Sequence, residues 1–115
     1  MKGMEERPVP AVSIVMPAYN VEPFIGEAIE SVLAQTFTDY ELLIVDDGAT
    51  DGTRRVAEQA ADRDPRIQLI VQENRGLAAA RNTALRHARG GYIALLDSDD
   101  IWCPEFLAAQ VAVLD

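Results

Sequence analysis

Three carboxylates fall within four residues, Asp97-Ser98-Asp99-Asp100, directly behind the apolar run Tyr92-Ile93-Ala94-Leu95-Leu96. Two such charges about 4 Å apart repel by roughly 4 kcal/mol at an effective dielectric of about 20, so a folded chain must offset them with a cation or hydrogen-bond donors. Hard divalent ions such as Mg²⁺ and Mn²⁺ take carboxylate oxygens, and two carboxylates leave most of an octahedral shell free for phosphate oxygens. Aspartates also cap helices, and a helix is expected from Pro104. Read alone, the stretch favours a capped turn.

Other polar sets shift that balance. Pro17-Ala18-Tyr19-Asn20 follows the apolar run Val12 to Met16, and Asp46-Asp47-Gly48 with Ala49 to Thr53 follows Glu41 to Val45. Asn74-Arg75-Gly76, with Ala80-Arg81-Asn82, follows Ile67 to Val71. An aspartate at a strand end can accept hydrogen bonds from a base or ribose, the role assigned to Asp47, while Asp46 is expected to shape the turn with Gly48. Tyr19 offers a ring for stacking on a base. Asn20 either caps the first helix or touches the ligand, and the sequence leaves both open. Arg81, about one turn into a helix, has the reach and the fork geometry for a diphosphate. Trp102 is expected to pack beneath the acidic loop. His87, Arg86 and Arg89 read as surface residues.

The elements that must carry these residues alternate. Short apolar runs read as strands over 12–16, 41–45, 67–71 and 92–96, the first stopped by Pro17. Helices are expected over about Pro23 to Thr36, from about Asp51, from Gly76 and from about Pro104. The first would bury Phe24, Ile25, Ala28, Ile29, Val32 and Leu33; the second Val56, Ala57, Ala60 and Ala61; the third Leu77, Ala80, Ala84, Leu85 and Ala88. Gly90-Gly91 reads as a left-handed stop to the third helix. Strand–helix alternation with strands apolar throughout predicts an α/β fold, Rossmann-like, three layers α/β/α around a mostly parallel sheet. In such sheets ligands bind beyond the strand C-termini, where all four polar sets lie.

Composition excludes several alternatives. The 115 residues suit one domain, residues 1–10 reading as an N-terminal tail without signal-peptide character and 11–115 as the folded portion. Nineteen acidic against ten basic side chains give a net charge of -9, which argues against nucleic acid and anionic membrane surfaces as partners. Cys103 is the sole cysteine and His87 the sole histidine, so no disulfide, cysteine zinc cluster or Ser-His-Asp site is expected. No apolar run is long enough to span a membrane, and the default compartment is the cytoplasm.

Together the four motifs, from Val12 to Pro104, resemble glycosyltransferase family 2, whose catalytic domains have the GT-A fold. Pro17 to Asn20 is similar to the family's opening motif, and Val45 to Thr53 to its most recognisable stretch, with Ala49 where serine is usual. Asn74-Arg75-Gly76 with Ala80-Arg81-Asn82 matches a third element, and Asp97-Ser98-Asp99 the Asp-X-Asp motif. The resemblance implies the donor-binding half of an inverting, metal-dependent enzyme using a nucleoside-diphosphate sugar, chiefly a UDP-sugar, with Mn²⁺ or Mg²⁺ as cofactor. The implied nucleotide-binding residues are Pro17, Ala18, Tyr19, Asn20, Asp47, Arg81, Asp97 and Ser98; the metal ligands are Asp97 and Asp99.

No motif matches the catalytic base that inversion requires. The sequence stops at Leu114-Asp115, inside the expected last helix, so the expectation is a portion truncated before the acceptor-binding half. A glycan or other acceptor belongs to the longer parent, placed in the cytoplasm or at the cytoplasmic face of the membrane. Missing elements would leave apolar surface exposed, inviting homo-oligomers. A non-catalytic nucleotide-sugar-binding or assembly module of the same fold is the alternative. Phosphoacceptor receivers and haloacid-dehalogenase-type phosphatases fit poorly, because both need a lysine near the aspartates and Lys2 is the sole lysine.

Overall fold

The computed structural model describes residues 9–114, so most of the expected tail (1–8) and Asp115 lie outside the described residues. Four strands, β1 (Val12–Ala18), β2 (Tyr40–Asp47), β3 (Ile67–Gln72) and β4 (Tyr92–Leu95), alternate with α1 (Glu22–Leu33), α2 (Thr53–Arg63), α3 (Leu77–His87) and α4 (Phe106–Leu114). All strand pairings are parallel, in the order β3-β2-β1-β4. The chain thus builds outward from β1 to β3, then returns to the far side of β1. With right-handed connections that reversal sends the crossover helix to the opposite face. Accordingly α1, α2 and Leu107 of α4 pack on one face, with Ile14, Met16, Leu42 and Ile44. On the other face Ala80 and Ala84 of α3 pack on Val15, Leu43 and Val45. The layers are therefore α/β/α, as expected.

Several local expectations are corrected. β1 does not stop at Pro17 but runs to Ala18. Tyr92 N–H donates to Ala11 O and Leu96 N–H to Val15 O, so alternate residues of β1 address β4. Pro17 is next in that series, and its missing N–H falls where β4 has ended. Phe24 is exposed, because the buried stripe of α1 is Ile25, Ala28, Ile29 and Val32, one helical step away. Leu77 and Leu85 of α3 are exposed too: the small residues Ala80 and Ala84 meet the sheet and the leucines flank them.

Nor do Gly90 and Gly91 form a left-handed cap. The helix ends in extended backbone at Ala88, and neither glycine is among the described residues with positive φ. Gly90 is required instead by proximity, since a Cβ there would lie 2.7 Å from Ser13 N. Its N–H donates to Ser13 Oγ at 2.8 Å, and that hydroxyl donates to buried Glu41 at 2.6 Å. Arg89, exposed as expected, donates its N–H to the same carboxylate. This buried junction fixes where β4 enters the sheet.

β1 and β2 are buried along their whole length, but β4 is not. Ile93 and Leu95 are 46% and 55% exposed, in register with Ser13 and Val15 on the face that α3 covers elsewhere. β4 thus leaves an apolar strip exposed, where an all-apolar strand was expected to be covered on both faces. Among the described residues no helix is long and apolar enough to cross a membrane.

Candidate functional site

The strand C-termini open into a cleft of about 530 Å³ between the loops after β1 and β4, where the strand order reverses. Pro17, Ala18, Tyr19, Asp47, Asp97, Ser98 and Asp99 line it, so loops distant in sequence meet at one rim. Asn74, Gly76 and Leu77 add a wall from the start of α3. Tyr19 is half-exposed, its ring available as a platform.

The Tyr19 side is held by two helix starts that cap each other. Neither α1 nor α2 has a side-chain cap from its own N-cap residue. Instead Val21 N–H donates to Thr53 Oγ1 at 2.9 Å and Glu22 N–H to Asp51 Oδ2 at 3.2 Å. In return Gly52 N–H donates to Glu22 Oε1 at 2.8 Å. Asn20, with φ +53, accepts from Thr50 N–H at 2.8 Å. Its side chain therefore joins the loops after β1 and β2, and the N-cap of α1 is Val21, not Asn20.

Asp46 and Asp47, adjacent in sequence, point to opposite faces. Asp46, fully buried, accepts from Ala49 N–H at 2.8 Å and from Arg54 Nε at 2.7 Å, which closes the turn. Gly48 in that turn has φ +78, and a Cβ on it would stand 2.7 Å from Asn74 N. Asp47 Oδ1 accepts from Gln72 Nε2 and Arg75 N–H, and Oδ2 from Gly76 N–H, each at 2.9 Å. The carboxylate thus meets the amides leading into α3, a favourable place for negative charge. Burial pushes the Asp47 carboxyl up, but the Gln72 amide and the two backbone donors outweigh it and hold it below the usual range.

On the opposite wall, carboxylate oxygens of Asp97, Asp99 and Asp100 lie within 4.8 Å of one another, all three side chains exposed. Asp100 thus joins the two aspartates expected as ligands. Arg81 Nη2 stands 3.4 Å from Asp97 Oδ1, while Arg81 Nε is buried with no hydrogen-bond partner. One partly exposed arginine offsets one of three negative charges, and an all-oxygen set this close fits a hard divalent cation. Below the loop, Gln35 donates to Cys103 O at 2.7 Å and accepts from Leu107 N–H at 3.0 Å. Trp102 stacks on Phe106 with centroids 4.6 Å apart and packs against the main core, as expected of it.

Sequence reasoning missed Gln72 and the cleft position of Leu77, and it placed Asn74 in a motif without giving it a role of its own. The signal for Gln72 was its place at the end of a strand, in register with Asp47.

Fold and cleft together define the class, an α/β domain of the GT-A type. The sequence matches the glycosyl transferase family 2 model over residues 13–115, and the chain belongs to that family. It is 52% identical over 92 residues to the uncharacterized glycosyltransferase EpsJ of Bacillus subtilis (strain 168), covering 80% of this chain and 27% of EpsJ. Among solved structures it is similar to S. aureus TarS in complex with UDP-GlcNAc (TM-score 0.84, 31% identity), covering 90% of this chain and 31% of that one. It is also similar to the mannosyltransferase PcManGT of Pyrobaculum calidifontis in complex with GDP-Man and Mn²⁺ (TM-score 0.75, 35% identity), covering 84% and 29%. The chain thus spans about a third or less of each of these proteins.

Proposed function

We propose that this chain is the donor-binding half of an inverting, metal-dependent glycosyltransferase that uses a nucleoside-diphosphate sugar, a UDP-sugar first among them. The observation that carries the reading is the shared cleft, with Tyr19 and Asp47 on one side and the acidic triplet on the other. The UDP-GlcNAc held by TarS supports the choice of nucleotide.

In this reading Tyr19 stacks on the base and Asp47 accepts a hydrogen bond from it. Backbone at Pro17 and Ala18 contacts the same nucleoside, and Asn20 keeps the surrounding loops in place. Arg81 faces the base or diphosphate, and Ser98 lies beside the ribose. Asp97 and Asp99 would hold Mn²⁺ or Mg²⁺, with Asp100 close enough to contribute. A divalent ion bound there supplies positive charge against the diphosphate and against the charge that grows on the leaving group. Inversion requires a base to take the acceptor's proton, and we place that base and the acceptor site, for a glycan or similar hydroxyl, in a longer parent protein in the cytoplasm. The exposed strip on β4 is where self-association of this chain would occur.

Calorimetric titration of UDP with and without Mn²⁺ tests the reading. Binding is expected to require the ion and to be lost in Asp99→Ala. Equal binding in its absence removes the metal role, and no binding in either case removes the nucleotide site.

A further inference from the structure

The Asp47 carboxylate is one end of a chain of hydrogen bonds that reaches the outer surface of α3. Arg86 Nη2 donates to Thr83 Oγ1 at 3.2 Å, Thr83 Oγ1 to Gln72 Oε1 at 2.5 Å, and Gln72 Nε2 to Asp47 Oδ1 at 2.9 Å. Its direction is forced by chemistry. A guanidinium only donates, so the Thr83 oxygen accepts from Arg86, and an ionised carboxylate only accepts, so Gln72 turns its NH₂ toward Asp47. The Gln72 carbonyl then faces Thr83, whose own proton fills that contact. Thr83 is buried and Gln72 partly so, which shields both links from competing water.

We propose that Gln72 and Thr83 are positioning residues that select the nucleobase by fixing Asp47 as an ionised acceptor of set orientation. The inference rests on the donor-site reading above. With Oδ1 occupied by two donors and Oδ2 by one, the capacity left to a ligand is that of an acceptor. A base that presents an N–H, such as the imide of uracil, satisfies it. Cytosine carries a lone pair at the same ring position and is refused, because two acceptors repel. If Thr83 loses its hydroxyl, the Gln72 carbonyl loses its donor and the side chain is no longer anchored where its NH₂ meets Asp47. Neither residue need touch the ligand.

The test compares UDP and CDP binding in the presence of Mn²⁺, with a thermal melt to confirm folding. Thr83→Val keeps the shape and removes the proton; it should weaken UDP binding about tenfold and change CDP binding less than about twofold. Thr83→Ser should restore the wild-type ratio. Arg86→Met, which alters only the exposed end, should shift the ratio the same way by a smaller factor and serves if Thr83→Val fails to fold. Folded variants with an unchanged UDP-to-CDP ratio overturn the inference while leaving the donor site standing. A purely structural role would weaken both nucleotides alike, which also overturns it. Wild-type protein that binds neither nucleotide overturns the donor-site reading and this one with it.

Discussion

Arg81 and Asp97, sixteen residues apart, meet at 3.4 Å, one in the middle of α3 and outside the cleft lining, the other just beyond β4 and part of it. The pair is loose and partly exposed, with side-chain exposures of 37% and 54%, so its worth to the fold is small. Its effect on the acidic triplet is larger, because the guanidinium repels any cation that approaches the same carboxylates. Arg81→Ala is therefore expected to tighten Mn²⁺ binding in the absence of nucleotide by about threefold to fivefold. The same variant should weaken UDP binding with Mn²⁺ present. Mn²⁺ titration followed by electron paramagnetic resonance measures the first effect, and unchanged metal affinity would show that Arg81 does not act on the triplet.

Asp47 makes an acid-sensitive contribution to stability. Its carboxyl is held below the ordinary value of 3.8 in the folded chain. A group depressed in this way stabilises the fold above its unfolded pKa, and that stabilisation is lost as pH falls through the folded pKa. The melting temperature of the wild type should fall as the pH drops below about 3.8. Asp47→Asn turns an NH₂ toward at least one of the three donors and should cost about 2 kcal/mol at neutral pH. Its melting temperature should also vary less with acid. Asp51 and Asp64, whose carboxyls are likewise lowered, chiefly by hydrogen bonds from Thr53 and Arg66 respectively, contribute to the slope that remains.

Gly48→Ala tests how the loop after β2 supports the cleft. The substitution meets a left-handed φ and the backbone of Asn74 together, and should cost about 2 kcal/mol in urea unfolding. Because Asn74 lines the cleft, UDP binding should weaken as well. Loss of stability with intact nucleotide binding would separate the turn from the site.

Ile93 and Leu95 leave the edge strand β4 with an uncovered apolar face. Light scattering at high protein concentration should show self-association that Leu95→Lys removes. A wild type that stays monomeric would count against that surface as a contact.

The sequence was most informative where burial is uniform. β1 and β2 are buried from end to end around their apolar runs, and residues at or just beyond the C-terminal ends of all four strands line one cleft. Identity of a side chain was a poorer guide at the margins, because Phe24, Leu77, Leu85, Ile93 and Leu95 are apolar in type yet exposed. Only geometry says which face of an edge strand has a neighbour. Gly90 looked like a helix stop and is a contact residue, since its constraint comes from Ser13, seventy-seven positions away. Gln72 and Thr83 escaped notice for the same reason: an amide and a hydroxyl carry no pattern until a partner at long range gives them one.

The crossed caps at the starts of α1 and α2 have a consequence for how a ligand is received. Neither loop can loosen without stripping donors or acceptors from the other, so the Tyr19 side is rigidified when the chain folds. The loss of freedom needed to shape that wall is already incurred before any nucleotide arrives, and encounter does not have to supply it again. Adaptation to different cargo then falls to the opposite, charge-rich bank of the cleft, where Asp97, Asp99 and Asp100 stand in solvent.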